Sequence, residues 1–302
     1  MTIEIIAILM PGDMGHGCAK AFRANGIRVV TDLTGRSERT LGLAKEADIE
    51  DLGSLKEVAR QADLVLSILP PEMAVEQATA VANAMIATDC RPPYADCNAI
   101  SPASTRRVGN EVARAGAIYI DAGIIGLNPV KENGGTRFYV SGPDTSSVEA
   151  LNGRGVVVRP LGTDIGRASA MKMVYAGATK GTFSLHAAVL TTAHMHGLTE
   201  DYLKELEESL PNVRAAMERM VPRIPLDARR WLAEMHEISA TFAEAGVTPN
   251  FHEGAADIME LADRTPIAAE TRQTVDESRT LVQALDMYVA AIREIKSSTD
   301  ER

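Results

Sequence analysis

Short apolar runs recur along the first half of the chain: IIAIL from Ile5, IRVVT from Ile27, LVLSIL from Leu64, YADCN from Tyr94, AIYIDAG from Ala117, FYVSG from Phe138 and GVVVRPL from Gly155. The stretches between them carry apolar residues at helical spacing, and this alternation predicts parallel strands joined by crossover helices. After Gly162 the strand-like runs stop. The remainder reads as helices broken near Gly197, Pro211, Pro222, Pro225, Gly246, Pro249 and Pro266, since glycine and proline end a helical pattern. From about Gly166 to His196 there is no proline and much Ala, Met and Leu, which predicts one long helix; Gly177 and Gly181 lie on one side of it, where a neighbour can approach closely. The expectation is an α/β sheet domain over 1–161 and an all-α domain over 162–302 that begins with this helix.

A length of 302 residues suits two cores rather than one. With 45% hydrophobic and 24% charged residues the chain is ordinary for a globular protein, and no apolar stretch reaches membrane length. A net charge of −10 argues against binding a phosphate backbone, so nucleic acid is not an expected partner. The three cysteines, Cys18, Cys90 and Cys97, have no metal-ligand spacing, and their odd number suits free thiols and a cytoplasmic location. The apolar start IEIIAILMPG contains Glu4, lacks a basic leader and runs into a glycine turn, so it reads as a strand rather than a secretion signal.

The turn after the first run, Met10 to Gly17, reads MPGDMGHG and opens a helix expected to begin near Met14. A pyrophosphate approaches backbone N–H groups and a helix N-terminus only where no Cβ intervenes, and aligned peptide dipoles favour the anion. Gly12 and Gly15 take the second and third glycine positions of G-x-G-x-x-G, with Met10 in the first. Pro11, Gly12, Asp13, Met14 and Gly15 are thus the expected phosphate turn of a Rossmann-type doubly wound domain. Asp32, after the second run, stands where a carboxylate meets the adenosine ribose hydroxyls of NAD, while Arg36 and Ser37 suit the 2′-phosphate of NADP. Asp32 reads equally as a turn-initiating side chain and Arg36 as a solvated loop charge; the balance leans slightly to NADP. Leu69 and Pro70 end the third run at the carboxyl edge of the sheet, the ligand edge of such folds. Asn98 either hydrogen-bonds a ribose or the substrate, or caps the helix starting near Ser101.

Several ordered motifs resemble the β-hydroxyacid dehydrogenase family, which includes 3-hydroxyisobutyrate and 6-phosphogluconate dehydrogenases. DAGIIGLNP, Asp121 to Pro129, is similar to the family's substrate-binding DAPVSGG edge, and GTDIGRASAMKMVYAG, Gly162 to Gly177, to its G-x-x-G-x-G-x-x-x-K-x-x-x-N segment. The run RWLAEMHEI, Arg230 to Ile238, is similar to the branch whose helical C-terminal domain is of unknown function. The resemblance implies a NAD(P)-dependent oxidoreductase acting on a small hydroxy acid and its oxo form, with Lys172 as catalytic acid and base. Substrate contacts are implied at Asn98, Gly123, Ile124, Ile125 and Gly126, and a homodimer through the helical domain. Ile125 stands at the family's serine and Ala176 at its asparagine. Against the KMVHNGIEYG of 6-phosphogluconate dehydrogenase this chain has KMVYAGATKG, so Tyr175, Thr179 and Lys180 replace the histidine, the acidic glutamate and a phosphate-contacting tyrosine. Decarboxylation of a sugar phosphate is therefore not expected.

Oxidising an alcohol requires a base for the hydroxyl proton as hydride leaves carbon, and the reverse reaction requires an acid at the carbonyl oxygen; one lysine serves both. A free lysine, pKa about 10.4, must be depressed by desolvation or a second cation to act as a base near neutral pH. Lys180 is the candidate for that second charge, and Tyr175, three residues after Lys172, and Thr179, four residues after Tyr175, add hydroxyls on the same helix face. His194 and His196 are alternate helix residues facing different ways, so no metal is expected. Trp231 belongs to an amphipathic stretch expected to pack, with closure over the substrate as its other reading. Two rival functions remain: imine reduction on the same scaffold, for which relatives usually replace the lysine by Asp or Tyr, and a non-catalytic dinucleotide sensor.

Overall fold

The computed structural model describes residues 2–132 and 135–300. These divide into two compact units, Met1–Val174 and Tyr175–Arg302, with the division inside the helix that follows the last strand.

The first unit alternates strands and helices: β1 Ile5–Leu9, α1 Asp13–Ala24, β2 Arg28–Thr31, α2 Glu38–Glu46, β3 Glu50–Asp51, α3 Leu55–Gln61, β4 Leu64–Ser67, α4 Ala74–Thr88, β5 Tyr94–Asp96, α5 Pro102–Arg114, β6 Tyr119–Ile125, α6 Pro129–Glu132, β7 Arg137–Ser141, α7 Ser146–Glu149, β8 Val157–Pro160 and α8 Arg167–Ala176. The strands form one sheet in the order β3-β2-β1-β4-β5-β6-β7-β8. The predicted runs became strands because the central strands of a largely parallel sheet are covered on both faces, so that β4, β5 and β6 are buried along their whole length. Ile6, Ile8, Ile120, Ile124 and Phe138 point into one core with Phe22 of α1. Ala7, Leu9, Val65 and Tyr94 point into the other with Val81 and Met85 of α4. Helix starts follow their local chemistry. Ser37, Ser54 and Ser101 accept hydrogen bonds from the first turns of α2, α3 and α5, at 3.3, 3.3 and 3.2 Å.

Two features depart from the expected run of parallel strands. β3 has only two residues, both exposed, and so no apolar signature. β7 pairs antiparallel to β6, because the connection over residues 126–136, which includes the four-residue α6, is too short for the crossover that a parallel return requires.

The second unit is helical: a π-helical turn Gly177–Gly181, then α9 Thr182–Met195, α10 Thr199–Ser209, α11 Pro211–Met220, α12 Ala228–Glu244, α13 Asn250–Asp263 and α14 Leu281–Asp300. The single helix expected from Gly166 to His196 runs without a break from Arg167 to Met195, and widens into one π-helical turn where its two glycines lie. A Cβ on Gly177 would come within 3.0 Å of His252 Nε2 and 3.3 Å of Ile238 Cγ2, so glycine there admits α12 and α13 against the turn. Met235, Ile238, Met259, Leu285 and Tyr288 are buried in this unit. Among the described residues no helix is long and apolar enough to cross a membrane.

Candidate active site

The glycine turn lies at the carboxyl end of β1. Gly12 is the N-cap of α1 with no side-chain capping bond, and a Cβ built on it meets nothing within 4 Å. The first N–H groups of a helix have no intrahelical partner, so main-chain donors border open space here. Gly15 does the opposite: its Cβ would stand 3.1 Å from Ile8 Cγ2, so it lets α1 lie on β1. Met10, in the place of the first glycine, adopts φ of 49°, the left-handed conformation that a glycine takes without steric cost. Asp13 turns outward to pair with Arg39 at 2.7 Å. Gly17 and Asn128 are additions that sequence reasoning did not single out. A Cβ on Gly17 would overlap the Asn128 side chain, whose amide donates to the Asp13 carbonyl at 2.6 Å. The loop after β6 is thereby hooked to the first turn of α1.

At the end of β2, Asp32 Oδ1 accepts from the Thr34 N–H at 3.0 Å, a turn-forming contact. Ser37 caps α2. Arg36 is half-buried with Nη2 3.5 Å from Gln77 Oε1, and its Nε is buried without a hydrogen-bond partner. Asn98, 2% exposed, ties β5 to β4: its Oδ1 accepts from the Leu69 N–H at 2.8 Å and its Nδ2 donates to Ser67 Oγ at 3.0 Å. The helix it was expected to cap is capped by Ser101. Leu69 and the exposed Pro70 end β4 at the same edge.

Lys172 is brought to this edge by two devices. Gly123 has no room for a side chain: its Cβ would lie 2.8 Å from the Ala168 carbonyl oxygen and 2.8 Å from Lys172 Cβ. The resemblance implied a substrate contact at Gly123, but the space above it is filled by α8. The second device is Asp121, wholly buried and unremarked in the sequence. Its carboxylate accepts from the backbone N–H groups of Gly166, Ala168 and Ser169 at 2.8, 3.0 and 3.1 Å, and from the hydroxyls of Ser169 and Ser141 at 2.5 and 2.8 Å. An anion at the first turn of a helix meets unsatisfied donors and the positive end of the dipole, so Asp121 pins α8 to the sheet. From this anchored helix Lys172 Nζ donates to the Ile124 carbonyl at 2.6 Å, at the carboxyl end of β6. Ile125 is buried at 2% exposure, and Gly126 turns the chain away from β6 with φ of 121°.

Beneath Asp121 lies a polar layer. Thr105 Oγ1 is 2.5 Å from Tyr119 Oη and 3.3 Å from Asp121, and Tyr119 Oη donates to Asp96 at 3.4 Å. Burial pushes Asp96 up to about 7, against the hydrogen bond from the Asn98 N–H. The Cys18 thiol, also buried, is pushed up to about 12, which leaves it unreactive.

In the helical unit, Lys180 forms an ion pair with the buried Glu234, which also takes Arg230 at 2.9 Å. The expectation that Lys180 supplies a second cation is therefore corrected: a buried carboxylate meets its charge, and its Nζ lies 5.6 Å above the Trp231 ring. Trp231 stacks on Phe183 with centroids 6.2 Å apart, the packing role expected of it. Thr179 Oγ1 bonds back to the Tyr175 carbonyl at 3.1 Å, and Tyr175 is exposed. His194 bridges Thr199 and Asp286 at 2.8 and 2.9 Å, tying α9 to α10 and α14.

Residues 6–152 match the family described as the NAD binding domain of 6-phosphogluconate dehydrogenase, and residues 193–262 match a domain of unknown function, DUF1932. A conserved protein of unknown function, described as structurally similar to 3-hydroxyacid dehydrogenases, is 29% identical with a TM-score of 0.64, over 86% of this chain and 98% of its own. The 3-hydroxyisobutyrate dehydrogenase of Mycobacterium tuberculosis, solved with L-serine, shares the fold at 20% identity and a TM-score of 0.64, over 86% of this chain and 93% of its own. A reductive aminase of Aspergillus terreus, solved with NADPH and ethyl levulinate, shares it at 20% identity and a TM-score of 0.54, over 96% of this chain and all of its own. An open glycine turn on the first crossover helix, the match of residues 6–152 to the NAD binding domain of 6-phosphogluconate dehydrogenase and the match of residues 193–262 to DUF1932 give this chain an NAD-binding domain followed in sequence by a helical domain of unknown function, the architecture it shares with a protein described as similar to 3-hydroxyacid dehydrogenases.

Proposed function

We propose that the protein transfers hydride between a nicotinamide dinucleotide and a small hydroxy acid or its oxo form, with Lys172 as general acid and base. The observation that carries this reading is the Lys172 ammonium at 2.6 Å from the Ile124 carbonyl, on the sheet edge that also bears the glycine turn. The residues fit a dinucleotide. Gly12 is open where a pyrophosphate needs main chain without a Cβ, and Pro11, Asp13, Met14 and Gly15 shape the turn. The unpartnered Nε of Arg36 suits a 2′-phosphate with Ser37 beside it, which favours NADP over NAD. Asp32, Leu69, Pro70 and Asn98 complete the wall of that site. When bound, the nicotinamide supplies or accepts the hydride.

Lys172 Nζ, as the neutral amine, takes the hydroxyl proton of the alcohol; as the ammonium it returns a proton to the carbonyl oxygen. A positioned acid or base contributes about 10²–10⁴-fold. Asp121 and Gly123 hold the helix that carries it, and the Ile124 carbonyl, Ile125 and Gly126 border the reacting carbon. The tail of the helical unit's exposed apolar residues, among them Leu185, Met195 and Phe251, suits a homodimer through that unit.

The test is a panel of hydroxy acids and of amine and imine analogues, run with NADPH and NADH. Turnover of a hydroxy acid that falls at least about 100-fold in Lys172→Met, with cofactor binding by fluorescence unchanged, supports the reading. Retained turnover in that variant refutes it, imine turnover alone favours the reductase alternative, and tight cofactor binding with no turnover favours a sensor.

A further inference from the structure

Ile125 stands where the family places a serine, so a substrate carboxylate cannot be held by a hydroxyl there. Its cross-strand partner is Arg137, the first residue of β7. Residues directly opposite in an antiparallel pair project from the same face of the sheet. Phe138 and Val140 point into the core shared with Ile120, Ala122 and Ile124, so Arg137, Tyr139 and Ser141 stand on the other face with Asp121, Gly123 and Ile125. The hydrogen bond from Ser141 to Asp121 at 2.8 Å fixes this orientation independently, and it is the face on which α8 lies. Because β6 runs parallel to β5, and through it to β4 and β1, its last residue lies at the carboxyl edge. The antiparallel β7 starts at that edge. Arg137 is thereby diagonal to Gly123, about 7–8 Å between backbones and within reach of a long side chain, and Lys172 Cβ sits against Gly123.

We propose that Arg137 binds the carboxylate of the substrate, an inference that rests on the hydroxy acid reading and deepens it. Its guanidinium is half-buried, with Nη1 donating to the Gly135 carbonyl at 3.1 Å. Its planar fork offers two parallel N–H donors to a carboxylate. A carboxylate on Arg137 and a hydroxyl on Lys172 fix a short substrate at both ends, with the buried Ile125 beside its carbon chain. The ligand class is a short hydroxy carboxylate, and its ester or amide is excluded because the second negative oxygen is missing. In a chain of net charge −10, this pair of cations is also what gives the edge a local attraction for an anion.

The experiment measures binding by calorimetry of 3-hydroxypropionate and 3-hydroxybutyrate, each against its methyl ester, to the NADPH-loaded protein in three forms: wild type, Arg137→Gln and Lys172→Met. Kinetics follow for whichever acid turns over. The expected result is tighter binding of the acids than of the esters by about 100-fold in wild type and Lys172→Met, collapsing toward unity in Arg137→Gln. KM rises with that collapse while kcat stays within about 10-fold, and Arg137→Lys recovers only part of the preference. Unchanged acid preference in Arg137→Gln, with Lys172→Met inactive, overturns this inference and leaves the hydroxy acid reading standing. Binding of neither acid by wild type overturns both. A thermal midpoint and NADPH affinity unchanged in Arg137→Gln separate loss of ligand recognition from loss of fold.

Discussion

Replacing Gly123 with alanine puts one methyl group where the sheet and α8 meet. The added carbon would lie 2.8 Å from both the Ala168 carbonyl oxygen and Lys172 Cβ. Ordinary non-bonded contact between carbons needs about 3.5–4.0 Å, so the helix must retreat by about 1 Å. It cannot tilt freely, because Asp121 holds the N–H groups of Gly166, Ala168 and Ser169 within hydrogen-bond range, and retreat stretches those bonds. Overpacking of this kind costs about 1–3 kcal/mol, and at about 2–4 °C per kcal/mol for a unit of this size the thermal midpoint falls by roughly 2–12 °C. Lys172 moves with the helix, and a misplacement of about 1 Å is worth about 100-fold in turnover. Thermal and urea unfolding measure the first effect, and hydride transfer followed by reduced-nicotinamide absorbance the second. Cofactor affinity should be unchanged, since the glycine turn sits on other strands. A Gly123→Ala protein with wild-type midpoint and wild-type turnover would refute the claim that α8 is seated against β6 and that this seating places the lysine.

Two further outcomes follow from the same edge of the sheet. Met10 holds φ of 49°, so Met10→Gly should leave the urea midpoint within about 1 kcal/mol of wild type, relief of strain offsetting the added chain entropy. Met10→Val, β-branched at positive φ, should cost about 1–2 kcal/mol more than Met10→Gly; equal midpoints would contradict the left-handed turn. Asp96, pushed up to about 7 by burial from an ordinary 3.8, keeps its proton in the folded state at pH values where the unfolded chain has lost it. Its contribution to stability is full below about pH 4 and declines as pH rises to about 7, by at most about 4 kcal/mol. Asp96→Asn should flatten this part of the stability profile in urea titrations between pH 4 and 8, and an unchanged slope would show that Asp96 is ionised in the fold.

The local pattern of the chain was enough to locate nearly every strand of the sheet, because strands buried on both faces must be predominantly apolar runs, as IIAIL, LVLSIL and AIYIDAG are. It also marked the glycine turn, since Gly12 and Gly15 answer to steric demands made by residues close in sequence. The helical second half was legible for the same reason, in apolar spacing and proline breaks. What the pattern could not carry was any relation between distant segments. The direction of β7 depends on how much chain lies between two strands; the two-residue β3 has no apolar residue to announce it. Asp121 is one acidic letter until folding sets it beneath the first turn of α8, more than forty residues away. Lys180 could be read as a second cation until Glu234, from α12, was found against it. Gly123 was legible as a position that needs space, but only the packed structure decides that a helix, and not a ligand, fills it. Propensity and periodicity act over a few residues, whereas the charge, burial and reach of a side chain in a site are set by partners that tertiary packing alone brings to it.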